Sequence, residues 1–242
     1  MRRLVRTELR KQRTVPTTAI AGVLVVATAV LVTVAIVTTA GQDGNPLLGR
    51  DSFEDLLRAP ASVVTLVALV LGILGMAGEH RHRTVTTTFL AIPRRGAVVR
   101  AKLAAHALSG AALATLALVT TAAMSVPWLR SDGVPVVVDG DVVAVVAGFV
   151  ASTALFGALG VAVGTLVRNQ TAALGGVLVW LLTAEGLLSG FVGRAPEVLP
   201  AAAGAAMVRP DGDALLGALA LAGTVAAVAM VGTRLVVSRD VT

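Results

Sequence analysis

The sequence predicts an all-α membrane protein. It forms six transmembrane helices in one domain (residues 1–242), with an amphipathic interfacial helix at the N-terminus and a second surface helix between spans two and three. Three observations carry this prediction. Apolar side chains make up 56% of the 242 residues before the 25 glycines are counted, and charged residues only 14%. A soluble domain has about 45–50% apolar residues with glycine included and about 25% charged. The chain therefore carries more apolar surface than a water-soluble fold of its size can bury, and a disordered chain is poor in these same residues. The charges that remain are spaced widely, and the positive ones concentrate on alternate loops.

The runs between charges are residues 14–42, 59–78, 103–129, 142–167, 169–193 (interrupted only by Glu185) and 214–233. A helix rising about 1.5 Å per residue needs about 20 residues to cross a hydrocarbon core of roughly 30 Å. Each run is that long. In lipid the backbone must bond to itself, so the runs are helices and not open strands. The expected spans are about 16–40, 59–78, 103–127, 142–166, 170–192 and 214–234.

Six spans put both termini on one side. With the N-terminus inside, the inner segments hold fifteen of the twenty basic residues against Glu8, Glu79 and Asp240. The outer segments hold Arg50, Arg58, Arg130, Arg194 and Arg209 against ten carboxylates. Positive residues stay cytoplasmic, so both termini are expected in the cytoplasm of a multi-pass membrane protein. The net charge of +6 is then a topology signal, and no nucleic-acid partner is expected.

Residues 1–15 form a basic amphipathic helix, with Arg2, Arg6, Arg10 and Arg13 on one face and Met1, Leu4, Val5 and Leu9 on the other. Such a helix lies in the membrane surface, its cations among anionic lipid headgroups; the plainer alternative is a positive-inside flank. Pro16 suits the first turn of span one. The apolar run that follows exceeds the h-region of about 7–15 residues in a signal peptide, so it is expected to be retained. Outside, residues 51–57 have a helix-start pattern in Asp51 and Glu54, with Phe53, Leu56 and Leu57 apolar. Gly157, Gly160 and Gly164 in span four, and Gly72 and Gly75 in span two, permit close helix packing. Residues 198–208 are apolar but too short to span, which points to a re-entrant or interfacial segment.

The long inner loop, residues 79–102, reads EHRHRTVTTTFLAIPRRGAVVRAK. On a helix Val85, Phe89 and Ile92 stack along one face, and Arg81, Thr84 and Thr88 lie elsewhere. Pro93 ends that helix, and Arg94, Arg95, Arg100 and Lys102 hold the next span's entrance among headgroups.

These residues resemble the permease subunit of ABC exporters, the ABC-2-type family. Glu79, Thr84, Leu90, Pro93, Arg94, Arg95 and Lys102 match its pattern: a glutamate ending span two, a threonine, an apolar stretch, Pro-Arg-Arg and a lysine opening span three. His80 replaces a common aromatic, and Arg83 a common glycine. Leu199-Pro200 after span five and the six-span plan extend the resemblance along the chain. It implies a multi-pass subunit of a bacterial cell membrane, in a complex of two permeases (a second copy or a homologue) and two ABC ATPase subunits. The segment from Glu79 through Arg81, Arg83, Thr84, Val85, Phe89, Ile92, Pro93 and Arg94 to Arg95 would be the cytoplasmic coupling helix. The chain has no GxxxxGK[ST] loop, so it binds no cofactor itself, and ATP and Mg belong to the partner ATPase. The expected function is export of an amphipathic or hydrophobic substrate such as a drug, peptide antibiotic or lipid.

Glu185 is the one carboxylate within a span, about 25 Å from the Arg168 boundary. It reads as an interfacial residue, solvated or hydrogen-bonded, or as a gate or pathway residue between spans five and six; a Glu here also recurs in the resembled family. Trp180 either packs between helices or lines the path. His80 and His82, two residues apart, do not face one another on a helix, and the chain has no cysteine, so no metal site is expected. Asp132, Asp139 and Asp141 read as a polar loop. Two other function classes stay open: an ion-coupled secondary transporter, and a membrane-embedded enzyme for which only Glu185 and His106 could serve.

Overall fold

The computed structural model describes residues 1–42, 45–81, 95–167, 169–191, 198–209 and 212–238, and the regular structure among them is entirely helical. Helix α1 (Arg2–Thr14) leads through an extended Val15 into α2 (Pro16–Thr39), which opens with Pro16. A short α3 (Ser52–Arg58) precedes α4 (Ala61–Arg81), and α5 (Arg95–Ser131) and α6 (Gly140–Leu166) follow. The fifth apolar stretch is divided into α7 (Gln170–Val179), a π-helical turn (Trp180–Ala184) and α8 (Glu185–Phe191). Helices α9 (Pro200–Val208) and α10 (Ala214–Ser238) complete the described chain. Six stretches are long and apolar enough to cross a membrane, which makes this a multi-pass, all-helical membrane protein.

The helices outrun the uncharged runs that announce them. Helix α4 continues through Glu79 to Arg81, and α5 begins at Arg95, well before residue 103. A run free of charge measures the apolar length, whereas the helix persists wherever its backbone bonds continue and its polar residues find water or partners.

Helix α6 is the centre of the bundle, packed against α4, α5, α9 and α10. Glycine makes the α4–α6 contact possible. A Cβ at Gly72 would stand 2.9 Å from the Gly160 Cα, and a Cβ at Gly164 would stand 3.0 Å from that of Met76. The close-packing face of span four is therefore turned inward, onto α4 of the same chain. Asp139 caps α6 by accepting from the Val142 N–H at 3.2 Å, so one of the loop aspartates has a structural partner.

Helix α2 lies on the outside of the bundle. Ala21, Val25, Ala29, Thr33 and Val37, each four residues apart, form its buried stripe. Ile20, Val23 and Leu31 on the other side are 63%, 72% and 69% exposed. Exposed apolar side chains in this number suit lipid contact. Helix α3 buries Phe53, Leu56 and Leu57 against α5 and α6, as the apolar spacing of residues 51–57 anticipates. The nine residues of α9, about 13 Å long, are too short to span and pack on α6 and α10 instead.

Candidate functional site

Two places in the bundle bring polar side chains together. The first is the end where α1 meets α4 and α5. On helix α1, Arg2, Arg3, Arg6, Arg10 and Arg13 are exposed, while Leu4, Val5 and Leu9 are half-buried and Met1 is exposed. The packing face, however, buries an acid: Glu8 is the one buried residue of α1. Its carboxylate accepts from Lys11 Nζ at 2.9 Å on one oxygen and from Lys102 Nζ at 2.7 Å on the other. Lys102 is only 2% exposed and also donates to the Gly75 carbonyl at 3.3 Å. The ammonium thus joins α1 and α4 to its own helix, α5. Arg100 remains exposed, but Lys102 faces the protein interior and not the headgroups.

One turn further along α5, His106 Nδ1 lies 3.0 Å from the Lys102 carbonyl and 3.2 Å from Gln12 Nε2. Protonated, this nitrogen donates to the carbonyl; bare, it accepts from the amide. Ser109 donates to Gln12 Oε1 and, at 3.1 Å, to the Ala105 carbonyl. Gly75 leaves the imidazole its place, because a Cβ there would overlap the ring. Burial by itself raises the pKa of Glu8, but Lys102 and Lys11 outweigh it and hold the carboxyl below its usual 4.5. The carboxylate is therefore charged at neutral pH, and the buried pair is ionic.

The second place lies at the opposite end, around Glu185. The π turn sets its geometry. On an α-helix residues five apart point about 140° away from each other; the wider π turn, whose backbone bonds run i to i+5, brings them nearly into line. The Glu185 N–H bonds the Trp180 carbonyl, and the Trp180 indole N–H reaches Glu185 Oε1 at 3.0 Å. The other carboxylate oxygen accepts the Ala201 N–H at 2.8 Å, in the first turn of α9. Helix α9 has no side-chain cap of its own. Glu185 supplies one from across the chain, where an acid is favoured by the helix dipole. It is 5% exposed, and its carboxylate is held by hydrogen bonds, one of the arrangements its place in the span allows.

Beside this tether is a pocket of about 550 Å³ between α3, α4, α6, the π turn and α9. Leu66, Phe156, Leu181, Leu182 and Val208 form its apolar walls, and Arg58 and Arg209 are its charged lining residues. Trp180 and Glu185 do not line it; their neighbours Leu181, Leu182 and Ala201 do.

Of the residues expected in the coupling segment, Arg83, Thr84, Val85, Phe89, Ile92, Pro93 and Arg94 lie outside the described residues. Glu79, Arg81 and Arg95 belong to the helix ends that lead into it. Sequence reasoning missed the Glu8 junction. Its signal was visible: one acid in a helix of arginines, and one of only two lysines at the edge of an apolar run. Compared with protein-family models and with curated proteins, the chain matches none.

Proposed function

We propose that this chain is the permease subunit of an ABC exporter of the ABC-2 type, lodged in a bacterial cell membrane with both termini cytoplasmic. Two permeases, this chain with a second copy or a homologue, would form the path, and two ATPase subunits would drive it. The observation that carries the reading is the junction at Glu8. Helix α1 is tied through Lys102 to both α4 and α5, the two helices that flank residues 82–94, where the family resemblance is concentrated. A push delivered to that segment would reach α1, α4 and α5 together, as a coupling element requires. The charge asymmetry of the loops supports the same orientation.

The chain is isolated from its native membrane in mild detergent, and ATP hydrolysis by the isolate is measured. An ATPase subunit is expected to remain bound to the native chain and to be released by Phe89→Asp, with insertion of the permease unchanged. A native isolate without ATPase, or a Phe89→Asp complex that stays intact and exports normally, overturns the reading.

A further inference from the structure

We propose that the pocket between α4, the π turn and α9 binds an amphipathic anion of one acid group and one apolar chain. Its size is that of a site for one small organic molecule and is less than a two-chain phospholipid needs. Its polarity is divided. Arg58 stands at the C-terminus of α3 and Arg209 directly after α9, both at the loop end of the bundle. Away from them the walls become apolar, through Leu66, Phe156 and Leu182.

No carboxylate lines the pocket among the described residues. Asp55 pairs with Arg58 at 2.6 Å, but both side chains are about half exposed (40% for Arg58 and 52% for Asp55), so the guanidinium keeps an accessible edge. The two cations therefore select an anion and reject a cation by simple charge complementarity. A chain can enter sideways, because Leu182 is 75% and Val63 41% exposed on the pocket's flank. In a bilayer that flank faces hydrocarbon, and the arginines sit toward the headgroups. The ligand would lie as it does in a membrane, head at the surface and chain inward. Glu185 holds the pocket's shape without touching the ligand, by fastening the first turn of α9 to the π turn.

This proposal names the substrate class of the exporter reading and rests on it for the transport step; binding is tested separately. The full chain in phosphatidylcholine nanodiscs is exposed to three photoreactive single-chain probes of equal length, ending in a carboxylate, an alcohol or a trimethylammonium group. Labelled residues are mapped by mass spectrometry. The carboxylate probe is expected to label the α4, π-turn and α9 walls in preference to the other two. Arg209→Gln should weaken its labelling roughly fivefold, the effect of losing one accessible ion pair, and Arg209→Lys should restore it. Ala205→Trp, which fills the pocket from an exposed position on α9, should abolish it while the melting temperature is unchanged. Ser62→Trp fills the same space from α4 and serves if the first variant does not fold. Equal labelling by carboxylate and alcohol, or labelling that survives both tryptophans, overturns the proposal. Charge-selective labelling without a bound ATPase keeps the site and removes the exporter; a bound ATPase with labelling indifferent to charge does the reverse.

Discussion

The Lys102 ammonium lies 2.7 Å from a carboxylate oxygen of Glu8, a residue 94 positions earlier in the chain. An ion pair this far inside a membrane protein stands on opposed terms: desolvating two charges is expensive, and their attraction in a low dielectric returns much of that cost. Removing one member keeps the cost and loses the return. Glu8→Leu and Lys102→Met are each expected to destabilise the protein by roughly 3–5 kcal/mol. The double variant should lose clearly less than the sum. Thermal unfolding of the four proteins in detergent measures the coupling, and strict additivity would show that the pair holds nothing together.

Acid should open the same junction. The folded pKa of Glu8 lies below its usual 4.5 because of Lys102 and Lys11. A depressed carboxyl contributes stability that is complete above its unfolded pKa and is lost as the pH falls through its folded value. The melting temperature should therefore hold from neutral pH to about 5 and decline below that. Glu8→Gln should melt lower at neutral pH, and its curve should converge on that of the native protein in acid. Parallel curves at every pH would remove Glu8 as the cause.

The α4–α6 contact gives a sharper steric contrast. Gly160→Ala places a methyl group against the Leu69 carbonyl and the Gly72 Cα, both backbone atoms that cannot rotate aside. Overpacking of this kind costs about 1–3 kcal/mol. Gly175→Ala in α7 meets nothing within 4 Å, and alanine favours the helix by about 1 kcal/mol. The first substitution should lower the melting temperature and the second should leave it unchanged or raise it.

Glu185 should report through Trp180. In a Trp128→Phe background, Trp180 is the only indole of the chain. Glu185→Leu removes the acceptor of the indole N–H of the half-exposed Trp180 and of the Ala201 N–H, at about 1 kcal/mol for each bond. Glu185→Gln keeps one acceptor oxygen. Trp180 emission and the melting temperature should change more in the leucine variant than in the glutamine variant; under the proposed exporter function, the glutamine variant should also export less while ATP hydrolysis persists. Identical emission in all three proteins would mean the indole does not use this carboxylate.

Topology can be read with single cysteines, since none exist natively. Asp132→Cys, on the exposed turn after α5, should react with an impermeant thiol reagent in intact cells, and Arg94→Cys should not. Position 132 is preferred to Gly133, whose φ of +72° suits glycine and would strain a cysteine. The opposite pattern inverts the whole orientation.

What could be read from the residues followed from local sums. The start of α2 at Pro16, the apolar face of α3 and the failure of residues 198–208 to span were all legible, because each depends on a short stretch of chain. The π turn at Trp180–Ala184 was not. Its sequence, WLLTA, is ordinary helix-forming material, and the turn is accompanied by two bonds to Glu185, one of them reaching through the carboxylate to α9. Glycine spacing announced a packing face in α6 but not which helix it meets.

The sequence by itself determined that the chain has six stretches long and apolar enough to cross a membrane, and which of the segments between them carry the positive charge. Both are sums over about 20 consecutive residues, indifferent to which helices are neighbours. Tertiary structure alone decided that Lys102 faces inward to Glu8, that Gly72 meets Gly160, and that Glu185 caps α9. Each of these needs two segments far apart in the chain to approach within a few ångströms. A buried charge or an absent side chain becomes informative only when its partner is known, and packing selects the partner.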